Sequence, residues 1–201
     1  FMKNNVRQPK QERSIEKKNK IIQAGWQLFS EVGYHNTNTA EIAKRAGVST
    51  GIVYGYFKDK RDIMISVLHR YIEETSRPIM DIVTEITPPF NFEQTVCKIV
   101  DKTIEMHQQN AHLHNALHAL TATDTAVNGA FLQLEDNLTE NLSQLLTECG
   151  VTTLYIKEKV HLAMNIVQSF AHEYVFDKHA YIDYQNMRTV VCDTITHLFD
   201  R

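Results

Sequence analysis

Three groups of residues in this chain have types and spacings that could do chemistry. Gly47-Val48-Ser49-Thr50-Gly51 spells G-x-S-x-G, the string in which a hydrolase presents a serine nucleophile. That nucleophile needs a strand ahead of it, whereas the periodicity before Ser49 is helical, so Ser49 reads as a helix N-cap. His107, His114 and His118 fall at helical spacings that could supply two or three metal ligands. Position 115 is asparagine, so the H-E-x-x-H zinc-protease string is absent, and with 10 histidines a pair four residues apart is expected by chance. The third group is Thr50-Gly51-Ile52, a small and uncharged helix start followed by Tyr54, Tyr56 and Lys60. There backbone N–H groups and the helix dipole can approach phosphates or base edges. No acid-base pair or nucleophile survives its structural context, which argues against an enzyme.

The elements that must position these groups all read as helices. The first runs from about Ser14 to Val32, with Ile22, Gly25, Leu28 or Phe29 and Val32 at helical spacing and Gly33 as its stop. Asn38 with Glu41 three residues on resembles a capping box and opens a short helix to Ala46, which Gly47 ends in the left-handed conformation. Ser49 then caps Thr50 to about Tyr56, and Asp59 with Asp62 starts a helix carried by Ile63, Val67 and Tyr71 to Arg77, before Pro78. Beyond it a short segment over 79–86 is broken by Pro88 and Pro89. Longer helices are expected over about 92–109, 111–120, 126–149, 154–176 and 182–199. With only 7 Gly and 4 Pro, mostly at these breaks, the fold class is all-α.

Charge divides the chain more sharply than its net value of -3 suggests. Residues 1–70 carry 13 Lys and Arg against 6 Asp and Glu, and residues 71–201 carry 8 against 18. A basic N-terminal segment has the electrostatic footprint of a phosphate-backbone binder, and a merely solvated basic face has the same composition. At 43% hydrophobic and 22% charged residues the 201-residue chain can bury a core without disulfide staples. No apolar run approaches a membrane helix, and the polar N-terminus lacks a secretory signal, so a cytoplasmic location without membrane partners is expected. Cys97, Cys149 and Cys192 are odd in number and widely spaced, which favours reduced thiols over a disulfide framework.

Two short helices joined by Gly47-Val48 and braced by a preceding helix form a helix-turn-helix unit. Ile42, Ala43, Val48, Val53 and Phe57 are its inward positions, and small Ala46 and Gly47 let the helices cross closely. The stretch from Asn38 to Ile63 closely resembles the DNA-binding segment of the TetR family of transcriptional regulators. The features that match are the Ile42-Ala43 pair, the Ala-Gly-Val-Ser turn at 46–49, the Tyr-x-Tyr-Phe run at 54–57 and Lys60. Ala24, Leu28, Phe29, Gly33 and Tyr34 extend the resemblance over about Ser14 to Glu74. It implies a DNA-binding domain over 14–74, with its helix-turn-helix at about 38–57, and a larger helical effector-binding and dimerisation domain over 75–201. It places Thr50 and Gly51 near base edges in the major groove. Tyr54, Tyr56 and Lys60 would meet phosphates, and Asn38 and Thr39 the backbone, with Ser49, Ile52 and Gly55 completing the surface. Thr50 replaces a frequent lysine and Ile52 a frequent small polar residue, so readout would rest more on apolar contact and DNA shape. Lys17, Lys18 and Lys20 lie beside this unit and read equally well as DNA contacts or as a solvated face.

For the acidic body the resemblance implies a homodimer on a pseudo-palindromic operator, acting as a repressor released by a small organic ligand. Apolar stripes on the last two helices, Met164, Val167, Ala171 and Tyr174 with Met187, Val191, Ile195 and Leu198, suit a dimer four-helix bundle and would equally suit core. Candidate ligand-lining residues are Met106, His107, Leu113, His114, Leu117, Phe131 and Phe170. No cofactor and no metal site are expected. The competing readings are a metal-responsive repressor using His107, His114 and His118, and a helical adaptor that does not bind DNA.

Overall fold

A computed structural model describes residues 8–86 and 90–200, with side chains from Glu12 onward. Among the described residues every regular element is a helix. These are α1 (Gln8–Val32), α2 (Thr39–Ala46), α3 (Thr50–Tyr54), α4 (Lys60–Thr84), α5 (Phe92–Gln109), α6 (Ala111–Thr121), α7 (Thr125–Glu148), α8 (Ile156–Phe176) and α9 (Tyr184–Leu198). None is long and apolar enough to cross a membrane. Two expectations are corrected: α1 begins at Gln8 instead of Ser14, and α4 continues through Pro78 to Thr84 instead of stopping at Arg77. Proline removes one N–H, that of its own bond back to Glu74, while the turns on either side keep theirs. Arg77 also pairs with Glu73 across that turn. The break at Pro88 and Pro89 lies outside the described residues.

The chain divides into two compact units. The first contains the described residues as far as Tyr71 together with His112–Val127, so most of α6 joins the N-terminal helices. Its interior holds Ile21, Ala24, Leu28, Phe29, Ile42, Ala43, Val53, Phe57, Ile63, Met64, Val67 and Leu68, all buried. α1 and α4 approach closely at Gly25, where an added Cβ would lie 2.9 Å from the Ile63 Cγ2 and 3.3 Å from the Val67 Cγ2. Any larger residue there must push two buried side chains apart.

The second unit, residues 72–111 and 128–200, has its core among α5, α8 and α9, built on Val96, Val100, Ile104, Val160, Phe170 and Cys192. α5 and α9 run antiparallel, as three contacts along them show: Phe92 with Phe199, Cys97 with Cys192, and Asp101 with Arg188. Cys97 and Cys192 are joined as a disulfide with Cα atoms 5.4 Å apart, where the sequence favoured reduced thiols. Their separation of 95 residues hid the pairing, which the packing of α5 on α9 creates. The expected dimer stripes are corrected as well. Val167, Ala171, Val191 and Ile195 are buried in this core, and Met164, Tyr174, Met187 and Leu198 pack partly buried against it. Helical periodicity reports an apolar face without saying which neighbour covers it.

Candidate nucleic-acid interface

The site is built on two helices too short to be stable alone, and local caps hold them. The Asn38 side chain accepts from the Glu41 N–H at 3.0 Å, and the Asn38 N–H donates to the Glu41 carboxylate at 3.1 Å, the expected capping box. At the far end of α2 Gly47 has φ +68°, with its N–H bonded to the Lys44 carbonyl at 3.2 Å and that of Val48 to Ala43 at 3.0 Å. This Schellman arrangement requires the left-handed conformation that glycine adopts without strain. Ser49 caps α3, its hydroxyl accepting from the Ile52 N–H at 3.3 Å. The oxygen of the G-x-S-x-G string is thus a capping group with a helix ahead of it.

Val53 and Phe57 anchor α3 and its following turn inward, so the remaining side chains face out. Gly51 and Gly55 are exposed, Thr50 and Ile52 half-buried, and Tyr54 is 57% exposed. Tyr56 is half-buried, and its hydroxyl shares a 3.1 Å hydrogen bond with the Ser14 hydroxyl on α1. Asn38 is exposed and Thr39 half-buried at the start of α2. The nearby cations differ in availability. Lys20 pairs with Glu16 and Arg45 binds Glu31 through two 2.8 Å bonds. Lys17, Lys18, Lys44 and Lys58 are exposed and form no ion pair among the described residues. Lys44 and Lys58 escaped the sequence reading because only charge, and no motif, marks them.

Lys60 requires a correction, since its ammonium is committed inward. It donates at 2.8 Å to both the Tyr34 and the Thr37 carbonyls and lies 4.2 Å from the centre of the Tyr34 ring. It therefore clamps the turn that leads into the Asn38 cap, where a phosphate contact was expected. The next residue makes a second link. Arg61 binds Asp124 through bonds of 2.6 and 2.8 Å, and Asp124 also accepts the Ala126 and Val127 N–H groups at the start of α7. The Arg61 guanidinium lowers the Asp124 carboxyl below its usual range. Burial first, then the Asp59 and Asp124 carboxylates, raises the Tyr34 phenol. Residues 61 and 124 are too far apart in sequence for any motif to join them.

The sequence model described as "Bacterial regulatory proteins, tetR family" matches residues 21–67, from the buried part of α1 through both capped helices into α4. Residues 21–67 belong to the tetR family of bacterial regulatory proteins. Over part of its length the chain is similar to helix-turn-helix transcriptional regulators. It is 38% identical over 90 residues to the HTH-type transcriptional regulator HbdR of Aromatoleum sp. (strain CIB), covering 43% of this chain and 39% of that protein. The chain thus matches less than half the length of that relative. A TetR-family regulator structure from Mesorhizobium loti MAFF303099 superposes with a TM-score of 0.76 at 19% identity, covering 92% of this chain and 96% of that one. The structure of FadR from Bacillus subtilis in complex with stearoyl-CoA gives a TM-score of 0.64 at 21% identity, over 88% and 96% of the two chains. At such identities these structures establish the tetR fold alone.

The residues singled out for an effector are divided between the two units. Leu113, His114 and Leu117 are buried in the first unit, where His114 Nδ1 and the Tyr71 hydroxyl share a 2.7 Å hydrogen bond and the His118 ring lies 4.2 Å from that of His114. Met106, His107, Phe131 and Phe170 belong to the second unit. His107 is buried and donates from Nδ1 to the Thr103 carbonyl at 2.9 Å; burial first, and then His172, holds its pKa below the ordinary value against that bond. Among the described residues no three His, Cys, Asp or Glu side chains are placed to hold a metal.

Proposed function

We propose that this chain is a homodimeric repressor that reads a pseudo-palindromic operator through α3 and leaves it when a small organic ligand binds the second unit. The observation that carries the reading is the outward face of α3. Gly51 and Tyr54 stand exposed, and Thr50 and Ile52 half-exposed, on a helix whose two ends are held by caps and buried anchors. Thr50 and Gly51 would lie at base edges, Ile52 against a thymine methyl, and Tyr54 and Tyr56 beside phosphates. Asn38, Thr39 and Ser49 would face the sugar-phosphate strand, with Lys17, Lys18, Lys44 and Lys58 supplying charge. Two such helices must stand ~34 Å apart to meet successive major grooves, which calls for a symmetric dimer. Its surface is the outer side of α8 and α9, where Leu162 and Val190 are 49% and 61% exposed. A shallow groove of about 360 Å³ beside Leu162, between α7 and α8, would receive the partner. The complex of FadR with stearoyl-CoA makes a long-chain acyl thioester the first effector to try.

Selection of genomic fragments on the purified protein, followed by gel shift with and without stearoyl-CoA, tests this reading. A shared palindromic consensus, retained by dimers and weakened by the thioester, is the expected result. Binding with no sequence preference would overturn operator recognition, and retention at saturating thioester would overturn that ligand class.

A further inference from the structure

The disulfide between α5 and α9 has two unequal partners. Cys192 is 1% exposed, whereas Cys97 is only partly buried at the edge of the same core. Their Cα separation of 5.4 Å lies within the range that a disulfide closes without moving the backbone. The bond sits between the Phe92–Phe199 ring contact and the Asp101–Arg188 ion pair, so the helices keep their register whether or not it is formed. A solvent oxidant meets Cys97 first, and Cys192 stands behind it as the resolving thiol. We propose that Cys97 and Cys192 are a reversible dithiol site for hydroperoxides, and that its oxidation fastens α9 to α5.

In the first step the Cys97 thiolate attacks a peroxide oxygen and the O–O bond breaks. The alkoxide, or hydroxide from hydrogen peroxide, leaves and takes up a proton, and Cys97 becomes a sulfenic acid. Cys192 Sγ then attacks the Cys97 sulfur, the S–S bond forms, the S–O bond breaks, and the hydroxyl departs as water with the Cys192 proton. Two thiols lose two electrons and the peroxide gains them; a dithiol reductant reverses the change. Cys149, a free thiol at the end of α7, lies outside the pair and serves as an internal control.

The consequence for assembly rests on the dimer reading above. Val190 is exposed two residues from Cys192, so a bond that holds α9 also pre-orders that outer face and should tighten the dimer. The test uses the full-length protein, reduced with dithiothreitol and then treated with equimolar hydrogen peroxide. Thiol titration should fall from three groups to one, with a Cys97–Cys192 cross-linked peptide found by mass spectrometry and reversed by dithiothreitol. Hydrogen exchange in α9 should slow several-fold on oxidation, and the dimer dissociation constant should fall several-fold, with neither change in C97S. C97A, which leaves Cys192 in the core, serves if C97S fails to fold. Oxidation of Cys97 to a sulfinic acid without a cross-link, mixed disulfides through Cys149, or identical α9 exchange in both states would overturn the proposal. A cross-link with slowed α9 exchange in a protein that stays monomeric would uphold the dithiol site and overturn the dimer reading instead.

Discussion

Residues 37–60 and the α5–α8–α9 core are both helical, but they are held by opposite means. In the first, α2 and α3 span 8 and 5 residues, too few to bury a continuous stripe, and order comes from polar groups at their ends: the Asn38 box, the Gly47 turn, the Ser49 cap and the Lys60 clamp. In the second, helices of 15 to 21 residues interleave Val, Ile and Phe side chains, and the ion pair of Asp101 with Arg188 that links α5 to α9 lies at the exposed rim. Short helices held at their ends leave a face uncovered for a partner. Long helices held by a stripe spend that face on one another. This explains why the residues of α3 remain outward while Val167 and Ala171 of α8 and Val191 and Ile195 of α9 do not.

The comparison breaks most severely at Val167. Val167→Asp puts an unpaired carboxylate into the core, costs several kcal/mol and should abolish the cooperative melt seen by circular dichroism. Leu162→Asp, on the outer side of the same helix, should leave the melt within about 0.5 kcal/mol and convert dimer to folded monomer in sedimentation. A folded monomer from Val167→Asp would return that residue to the interface.

In the polar region Lys60→Met keeps the apolar stem and removes both carbonyl bonds, for a loss of about 2 kcal/mol in chemical denaturation. Because the ammonium clamps the chain instead of meeting DNA, operator binding should weaken while the slope of log affinity against log salt stays unchanged. A slope smaller by ~0.9 would instead assign Lys60 to a phosphate.

A smaller effect separates the regions by pH. Burial holds the folded pKa of His107 below the unfolded value of 6.5, so the unfolded chain takes up its proton first as pH falls. Stability held above pH 6.5 is therefore lost as pH drops from there through the folded value. Melting between pH 7.5 and 5 should show a steeper decline for wild type than for His107→Gln, and parallel curves would remove His107 as the cause. The smallest change is expected at Ser143, a buried residue of α7 whose hydroxyl has no hydrogen-bond partner among the described residues. Ser143→Ala should be neutral or slightly stabilising by thermal melt, since it removes a polar group without breaking a bond.

The sequence by itself determined the all-α class, the helix-turn-helix, its caps at Asn38, Gly47 and Ser49, and the inward anchors Ile42, Val53 and Phe57. Each of these is a local matter, set by residue type within one or two turns, where side chains and backbone meet whatever the rest of the chain does. The tertiary structure decided what touches what over long separations. It turned Lys60 inward onto the Tyr34 and Thr37 carbonyls, joined Arg61 to Asp124 and Cys97 to Cys192, and placed the stripes of α8 and α9 in the core. It also carried α4 past Pro78, because one missing N–H is a smaller loss than the bonds of the turns around it. A lysine's charge or a helix's apolar period is written in the chain, but the partner that satisfies it is chosen only when distant segments meet.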